Sequence, residues 1–224
     1  MKYYFDWICP PSRAIYLLLK VNNVPFEGFV VSLKRSEHLE ESFKSVNRFQ
    51  RLPCINVDGY QLAESVAIYK YLCKTFLPVI ENYNPQLPKE KALVDEYLEW
   101  QANNIRLGGA MYFKTQWMFP KLLKSEANIE EVSTFKYVME NSLDTIEDVW
   151  LADPNKTFLV SDKISFADIM ACVDLEQIRI TGYNPFENRP KLEKMWKNVK
   201  ALTNPFYDEA HEVCYKMGLN KPKL

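Results

Sequence analysis

Short apolar runs alternate with helical patterns along the first third of the chain. Apolar side chains predict one strand at Tyr3 to Phe5 and another at Phe29 to Val31. The helix between them is expected to begin at Pro10, because the first turn of a helix has no intrahelical use for the N–H that proline lacks. A second, more polar helix is predicted from His38 to Val46. Strand and helix therefore alternate from the start of the chain.

A hairpin follows these elements and is the clearest local pattern. Leu52 to Val57 and Tyr60 to Ala63 are two apolar-rich runs, and Asp58-Gly59 separates them. Glycine adopts a positive φ without steric cost, so Asp-Gly at this place predicts a tight turn between antiparallel strands. A helix from Glu64 to about Phe76 comes next. The complete order, β-α-β-α-β-β-α, predicts a mixed sheet covered by helices.

The remainder of the chain is predicted to be helical. Three prolines between positions 78 and 88 indicate a linker, so we expect an α/β domain at residues 1–78, a linker at 79–87 and an all-helical domain at 88–224. Ser165 and Asp168 fit a capping box at the start of a buried helix. One apolar stripe steps by three or four residues, as in an amphipathic helix: Val132, Phe135, Met139, Leu143, Ile146 and Trp150.

Composition excludes several classes of protein. The 224 residues include 28 basic and 29 acidic side chains, and this balance argues against a nucleic-acid binder, which neutralises phosphates with excess positive charge. No run of ~18 uncharged apolar residues is present, so we expect no membrane span. Asp6 stands where a signal peptide needs its apolar centre, which argues against secretion. The five cysteines lack a metal-like spacing and predict reduced thiols in a cytoplasmic protein without a bound metal.

One of these cysteines is a candidate reactive thiol. Cys9 precedes Pro10-Pro11 at the predicted junction of strand and helix. The unpaired N–H groups and the positive helix end at such a place favour the thiolate, and Arg13 adds positive charge. A cysteine buried for packing alone fits the same pattern. The two histidines, His38 and His211, are expected at the surface, so no triad of histidine, acid and nucleophile is predicted.

Two further positions are suited to an extended, zwitterionic ligand. Pro53 starts a strand and cannot donate to a ladder, which leaves the backbone of Leu52 free to pair with a peptide. Glu64 and Ser65 open the next helix, where a hydroxyl and free amides can hold a carboxylate while Glu64 holds an ammonium group. An edge-strand proline and an ordinary helix cap explain the same residues, so neither feature is decisive alone.

Taken together, the motifs resemble those of the cytosolic glutathione S-transferases, and most closely the theta class in its insect form. The similarity covers the whole chain and is carried by "YYFDWICPPSRA", "NVPFEGFVVSLKRSEHL", "NRFQRLPCINVDGYQLAESVAIYKYL", "VDEYLEWQ", "ISFADI" and "YDEAHEVCYKM". The resemblance implies a thioredoxin-like α/β domain followed by an all-α domain. It also implies a cytoplasmic homodimer that uses glutathione as co-substrate in detoxification.

The resemblance also implies roles for individual residues. Glu64 and Ser65 match the pair that holds the γ-glutamyl end of a bound glutathione. Leu52 and the cis-proline Pro53 match the contact to its cysteinyl part. Arg51 and His38 match the residues that contact its glycyl side. Arg106 matches an arginine that projects from the helical domain into the theta-class site. Met111, Tyr112, Trp117 and Phe119 are candidates for the wall of the pocket that takes a hydrophobic electrophile.

One position departs from the family pattern. Cys9 replaces a serine whose hydroxyl donates to the glutathione sulfur, and Ser12, three residues further on, is the only serine of this motif. A transferase is favoured, in which Cys9, Ser12 or a backbone amide activates the glutathione thiol for attack on halides or hydroperoxides. A glutathione-dependent monothiol oxidoreductase acting through Cys9, as in the omega class and the glutaredoxins, is the first alternative. A non-catalytic carrier of apolar ligands is the second.

Overall fold

The computed structural model describes residues 1–76 and 83–219. The predicted boundary at residue 78 and the first part of the predicted linker, 79–82, lie outside these residues. Residues 83–87 contain no α-helix, and the first helix of the second half begins at Pro88. The exact division of the chain into 1–78, 79–87 and 88–224 therefore stays a prediction.

A mixed four-stranded sheet forms the centre of the first half, in the order β2-β1-β3-β4. Its strands are β1 Lys2–Phe5, β2 Glu27–Val30, β3 Cys54–Val57 and β4 Tyr60–Ala63. β1 runs parallel to β2 and antiparallel to β3, and β3 pairs with β4 in the hairpin. Asp58 and Gly59 have φ values of 52° and 94°, as the predicted turn requires. Because Cys54 pairs with both Tyr4 and Ala63, the ends of β1 and β4 meet the start of β3 at one edge.

Two of the three predicted helices of this half are confirmed, and the third is not continuous. The structure has α1 at Pro10–Val21, α2 at Glu41–Lys44 and α3 at Ser65–Thr75. The helix predicted from His38 to Val46 is instead a 3₁₀ turn at Glu37–Leu39 followed by the single turn of α2, because Glu40 between them is extended. Phe43 is the only buried side chain of the two turns, and a helix without an apolar stripe gains little from packing.

The second half is helical, as predicted. Its helices are α4 Pro88–Asn103, α5 Ile105–Phe113, α6 Phe119–Leu123, α7 Ile129–Thr145, α8 Phe166–Arg179, α9 Pro190–Thr203 and α10 Phe206–Leu219. The predicted apolar stripe lies on α7 and on the wide turn that continues it at Ile146–Trp150. The architecture is a thioredoxin-like α/β domain followed by an all-α domain. None of the described helices is long and apolar enough to cross a membrane.

The predicted capping box at the start of α8 is confirmed. The Asp168 carboxylate is fully buried and accepts the backbone N–H of Ser165 at 2.8 Å and that of Leu159 at 2.8 Å. It thereby ties the preceding loop to the first turn of α8. This helix is buried on all sides, so its N–H groups have no access to water and depend on such bonds.

Helix α5 is held by unusually close packing. A Cβ atom on Gly108 would lie 2.8 Å from the backbone nitrogen of Met139, so α5 and α7 meet backbone to backbone. A Cβ on Gly109 would lie 3.0 Å from the Ile178 side chain of α8. Only glycine permits this approach on both sides. The position of α5, and of the Arg106 side chain that it carries, is therefore fixed by its neighbours.

Buried polar contacts join the two halves. Arg13 of α1 is fully buried and donates to the carbonyl oxygen of Val173 at 2.9 Å and to Gln177 Oε1 at 3.0 Å, both on α8. The prediction that His211 lies at the surface is wrong. Its ring is fully buried where α10 packs on α1 and α8, its Nδ1 lies 2.7 Å from the carbonyl oxygen of Tyr207, and burial holds its pKa well below the usual value.

Candidate functional site

The sheet edge described above brings the first-domain candidates together. Cys9 lies in the N-cap position of α1, directly after β1, and its thiol donates to the carbonyl oxygen of Leu52 with an Sγ–O distance of 3.6 Å. The Leu52–Pro53 peptide is cis, as the resemblance implies. Glu64 directly follows Ala63, the partner of the first residue of β3. Residues from three separate parts of the sequence thus surround one short stretch of backbone.

The start of α3 presents unpaired backbone donors at this edge. The first hydrogen bond of the helix runs from the Ile68 N–H to the carbonyl oxygen of Glu64 at 2.9 Å, so the three preceding backbone N–H groups have no acceptor within the helix. Glu64 itself has a φ of 69°, a conformation that is costly for a residue with a side chain. Its carboxylate is exposed and Ser65 is half-buried. A carboxylate ligand can bind the amides and the Ser65 hydroxyl while Glu64 pairs with an ammonium group.

The thiol of Cys9 is less acidic than the sequence suggests. Burial raises its pKa above the ordinary value, and this effect exceeds the lowering by the hydroxyl and amide of Ser12 and by the charges of Arg106 and Arg13. The helix start was expected to favour the thiolate, and the net shift is in the opposite direction. Near neutral pH Cys9 is therefore a protonated thiol that can donate a hydrogen bond.

Ser12 occupies a different environment from Cys9. Its side chain is fully buried, one turn further along α1, and its hydroxyl has no hydrogen bond of ordinary geometry within the described ranges. Its backbone oxygen accepts the Tyr3 hydroxyl at 2.6 Å. Of the two residues, the half-buried Cys9 is the one that a ligand can touch.

The residues expected at the glycyl side lie on the loops that flank the edge. His38 is half-buried in the 3₁₀ turn before α2, and its Nδ1 is a buried nitrogen that lacks a partner among the residues described. Arg51 precedes Leu52 and has an exposed side chain, while its backbone oxygen accepts an N–H of Asn47 at 2.7 Å. A free nitrogen and an exposed guanidinium are both suited to a carboxylate.

Arg106 reaches this region from α5. Its guanidinium pairs through two nitrogens with the carboxylate of Asp174 on α8, with 3.0 Å between Nη2 and Oδ2, and Nη2 also lies 3.1 Å from Met170 Sδ. The Arg106 charge lowers the pKa of the Cys9 thiol, which places it within electrostatic range of that sulfur.

A small apolar cluster lies next to Cys9 at the helical domain. Phe113, Trp117, Ile180 and Cys214 are buried together and pack against Ile8, the neighbour of Cys9 in the sequence. An open cavity of about 430 Å³ borders Ile180 and Cys214 from the side of α8 and α10.

The four residues proposed for the second-substrate pocket differ in their surroundings. Trp117 belongs to the apolar cluster beside Ile8 and stacks on Phe113 with 5.5 Å between ring centroids. Tyr112 packs instead on Tyr183 at 5.9 Å. Met111 is half-buried and Phe119 is exposed.

Sequence reasoning missed three residues of the site. Arg13 was noted only for its charge, whereas its bonds to α8 span more than 150 positions, which no local pattern reveals. No sequence pattern identifies Ile8 as part of the site, apart from its position next to Cys9. Asp174 has a signal in the sequence: it is a carboxylate in a helix that is predicted to be buried, and a buried carboxylate requires a partner.

Among the described residues, no group of three or more histidine, cysteine, aspartate or glutamate side chains is arranged to hold a metal ion. The candidate site combines a thiol, a free backbone edge, helix amides and the side chains of Arg13, Arg51 and Arg106. These groups are suited to binding an anionic, peptide-like thiol compound.

Known proteins are similar to this chain in sequence. The family profile "Glutathione S-transferase, N-terminal domain" matches residues 1–74, and "Glutathione S-transferase, C-terminal domain" matches residues 115–202. Rat glutathione S-transferase theta-1 is 35% identical over 221 residues, which cover 97% of this chain and 90% of the rat protein.

Solved structures of glutathione transferases have a similar fold. The apo form of human glutathione S-transferase T1-1 superimposes with a TM-score of 0.92 at 33% identity, covering 99% of this chain and 92% of that one. The structure of human glutathione transferase theta-2, in complex with glutathione and an unknown ligand, superimposes with a TM-score of 0.90 at 30% identity and covers 97% of this chain and 88% of that one. The chain therefore belongs to the glutathione S-transferase family and, within it, is homologous to the theta class.

Proposed function

We propose that this protein is a glutathione transferase, which binds glutathione at the sheet edge and activates its sulfur for attack on hydrophobic electrophiles. One observation carries the proposal. The cis Leu52–Pro53 peptide, the start of α3 and the Cys9 thiol lie together at one edge of the sheet, in a chain that is homologous to the theta class along nearly its whole length. The site residues below are part of the proposal.

Each part of the tripeptide has a matching group. The Ser65 hydroxyl and the α3 amides bind the γ-glutamyl carboxylate, and Glu64 binds its ammonium group. The backbone of Leu52 pairs with the cysteinyl unit, since Pro53 leaves that edge without a strand partner. His38 and Arg51 bind the glycyl carboxylate. In this arrangement the glutathione sulfur lies beside the first turn of α1.

Binding also changes the partner of the Cys9 thiol. In the structure the thiol donates to the carbonyl oxygen of Leu52. The cysteinyl N–H of glutathione is a stronger donor for that oxygen, so it displaces the S–H. The Cys9 thiol is then free to donate to the incoming sulfur. A protonated Cys9 is thus suited to the role that the family gives to a serine hydroxyl.

The energy required is modest. Lowering the pKa of a thiol by about two units needs roughly 2.7 kcal/mol of extra stabilisation of the thiolate. A helix N-terminus supplies ~0.3–1 kcal/mol and a hydrogen bond to a charged group about 1.5–3 kcal/mol. A thiol is a weak donor, so Cys9 contributes less than serine. The positive charges of Arg106 and Arg13, which act on the Cys9 sulfur, add to the stabilisation.

The oxidoreductase alternative needs the opposite property in Cys9. A monothiol mechanism begins with attack by the Cys9 thiolate on a disulfide, and the rate depends on the fraction of thiolate. Burial raises the pKa of this thiol, which makes the thiolate scarce near neutral pH. Intact-protein mass spectrometry after treatment with oxidised glutathione separates the two functions: a transferase is expected to keep Cys9 unmodified.

The main test is glutathione binding and turnover with a site variant. Ser65→Ala is expected to weaken glutathione binding by about 1–3 kcal/mol, because it removes a hydrogen bond to a charged group. Ser125→Ala, at an exposed serine outside the site, serves as the matched control. Calorimetry gives the dissociation constants, and conjugation of an aryl or alkyl halide gives turnover. Absence of glutathione binding in the unaltered protein would refute the function, and binding without turnover on any electrophile would leave a ligand carrier.

We further propose a cytoplasmic homodimer with a role in detoxification. Large apolar side chains are exposed on neighbouring elements, with Tyr60 on β4, Leu93 on α4 and Leu107 on α5. The Lys70–Asp95 ion pair connects α3 to α4. Light scattering on a sizing column is expected to give the mass of two chains, and Leu107→Lys is expected to shift it toward one. A monomer at micromolar concentration would contradict the dimer.

A further inference from the structure

Three charged side chains from three helices lie within electrostatic range of one another, and two of them act on the Cys9 sulfur. Arg13 comes from α1, Arg106 from α5 and Asp174 from α8, and we call them the buried charge cluster. Asp174 is 3% exposed and accepts bonds from two nitrogens of Arg106. A carboxylate that accepts both bonds of a guanidinium is ionised. One positive charge of the cluster is therefore neutralised.

The second arginine has no such partner. Arg13 is fully buried, and its donors bind only neutral oxygens: the carbonyl oxygens of Trp7 at 2.8 Å and Val173 at 2.9 Å, and Gln177 Oε1 at 3.0 Å. Within residues 1–76 and 83–219 no carboxylate lies within 4.0 Å of its guanidinium. Two guanidinium groups and one carboxylate leave the cluster with a single excess positive charge. A buried unpaired charge is costly, and an anion nearby offsets that cost.

The charges of the cluster reach one another and the thiol position. Arg106 and Arg13 both act against the burial that raises the pKa of Asp174, and both also act on the sulfur of Cys9. Glu176, another carboxylate of α8, is neutralised by Arg179, with 2.8 Å between Arg179 Nη1 and Glu176 Oε2.

The tyrosines, cysteines and histidine around the cluster carry no charge near pH 7. Burial raises the pKa of the tyrosines and cysteines that face it from β1, β3, α4, α8 and α10, and it lowers the pKa of the one histidine. These groups are Tyr3, Cys54, Tyr97, Cys172, His211 and Cys214. The local field is therefore set by Arg13, Arg106 and Asp174, and the capping carboxylate of Asp168 is a further charge that all of the variants below retain.

We propose that Asp174 sets the strength of the positive field that stabilises the glutathione thiolate, by cancelling one of the two guanidinium charges. The inference rests on the proposed function, because it takes the anion to be the sulfur of glutathione beside Cys9. Asp174 touches neither the sulfur nor the electrophile and acts through its charge. The role differs from simple support of Arg106, and the two roles predict opposite results.

The variant Asp174→Asn separates them. It removes the negative charge and keeps one oxygen as acceptor for Arg106. The pKa of the bound glutathione thiol is then expected to fall, since two uncompensated guanidinium charges stabilise the thiolate more than one does. If Asp174 only holds Arg106 in place, loosening Arg106 would raise this pKa. A rise, or no change, overturns the proposal.

The thiol pKa is measured from the ultraviolet absorbance of the thiolate against pH, as the difference between protein with and without glutathione. The matched control is Glu176→Gln, another buried carboxylate of α8 that pairs with its own arginine. Its shift is expected to be less than half of that of Asp174→Asn. Equal shifts in both variants would overturn the assignment to the cluster.

A second comparison covers the case in which Asp174→Asn does not fold. Arg106→Met is expected to raise the pKa of the bound thiol, and adding Asp174→Asn to it restores the single positive charge of the cluster. The double variant should return the pKa to within about a third of a unit of the unaltered protein. A double variant that titrates like Arg106→Met overturns the proposal. Failure of the unaltered protein to bind glutathione would instead refute the proposed function.

Discussion

Replacing Cys9 by serine tests the activation mechanism most directly. Cys9 is the N-cap residue of α1, yet its side chain makes no capping hydrogen bond, and its thiol donates only to the carbonyl oxygen of Leu52 at 3.6 Å. A serine hydroxyl is a stronger donor than a thiol and is a preferred N-cap. Cys9→Ser is therefore expected to keep the fold and to strengthen the hydrogen bond to the glutathione sulfur.

The size of the effect follows from the two donors. A hydrogen bond to a charged group contributes about 1.5–3 kcal/mol, and a thiol provides the lower part of that range or less. A gain of about 1.4 kcal/mol lowers the pKa of the bound glutathione thiol by about one unit. At a pH below that pKa the thiolate fraction rises about tenfold. A thiolate of lower pKa is also a weaker nucleophile, so the kcat/KM for an aryl or alkyl halide should rise by about threefold, with little change in glutathione affinity.

The assay is the rate of conjugate formation at fixed glutathione, run beside the ultraviolet titration of the bound thiol. Cys73→Ser is the matched control, because Cys73 is buried on α3 and its thiol lies outside the site. A folded Cys9→Ser protein with an unchanged or lower conjugation rate would refute the view of Cys9 as a hydrogen-bond donor. If that variant also loses the ability to reduce a mixed glutathione disulfide, the oxidoreductase function replaces the transferase.

Other predictions concern stability. Asp168→Ala leaves the buried N–H groups of Ser165 and Leu159 without their acceptor and is expected to lower the free energy of unfolding by about 2–5 kcal/mol in urea titrations. Burial raises the pKa of Asp168 to about 6, so the stabilising contribution of its carboxyl is full below about pH 4 and decreases as the pH rises through 6. The loss of stability in Asp168→Ala should therefore be larger near pH 4 than near pH 7. Gly108→Ala places a Cβ 2.8 Å from the Met139 backbone and is expected to cost about 1–3 kcal/mol by thermal unfolding; an unchanged midpoint would show that α5 and α7 separate freely.

Local patterns were sufficient for most of the fold. Pro10 at the start of α1 and Asp58-Gly59 in the hairpin each have one physical reason that operates within a few residues, and both predictions hold. The continuous helix predicted from His38 to Val46 does not form, because its mostly polar residues have no apolar core to pack on. Glu40 adopts an extended conformation instead. Periodicity alone does not report whether a partner surface exists.

The site shows the same limit more clearly. The positions of Leu52, Pro53 and Glu64 follow from strand pairing, so a sequence that specifies the hairpin also specifies their proximity. The direction of the Cys9 pKa does not follow, because it depends on how deeply α1 is buried by a domain that comes later in the chain. The burial of His211 and the pairing of Arg106 with Asp174 have the same origin.

The protonated state of Cys9 has a consequence for the durability of the protein. A thiol without its negative charge reacts slowly with alkylating agents and peroxides, which are the compounds that a transferase meets. The other four cysteines, at positions 54, 73, 172 and 214, are buried. Under the proposed function, free glutathione in the surrounding solution reacts before the polypeptide does, so the protein is expected to survive repeated exposure to reactive electrophiles.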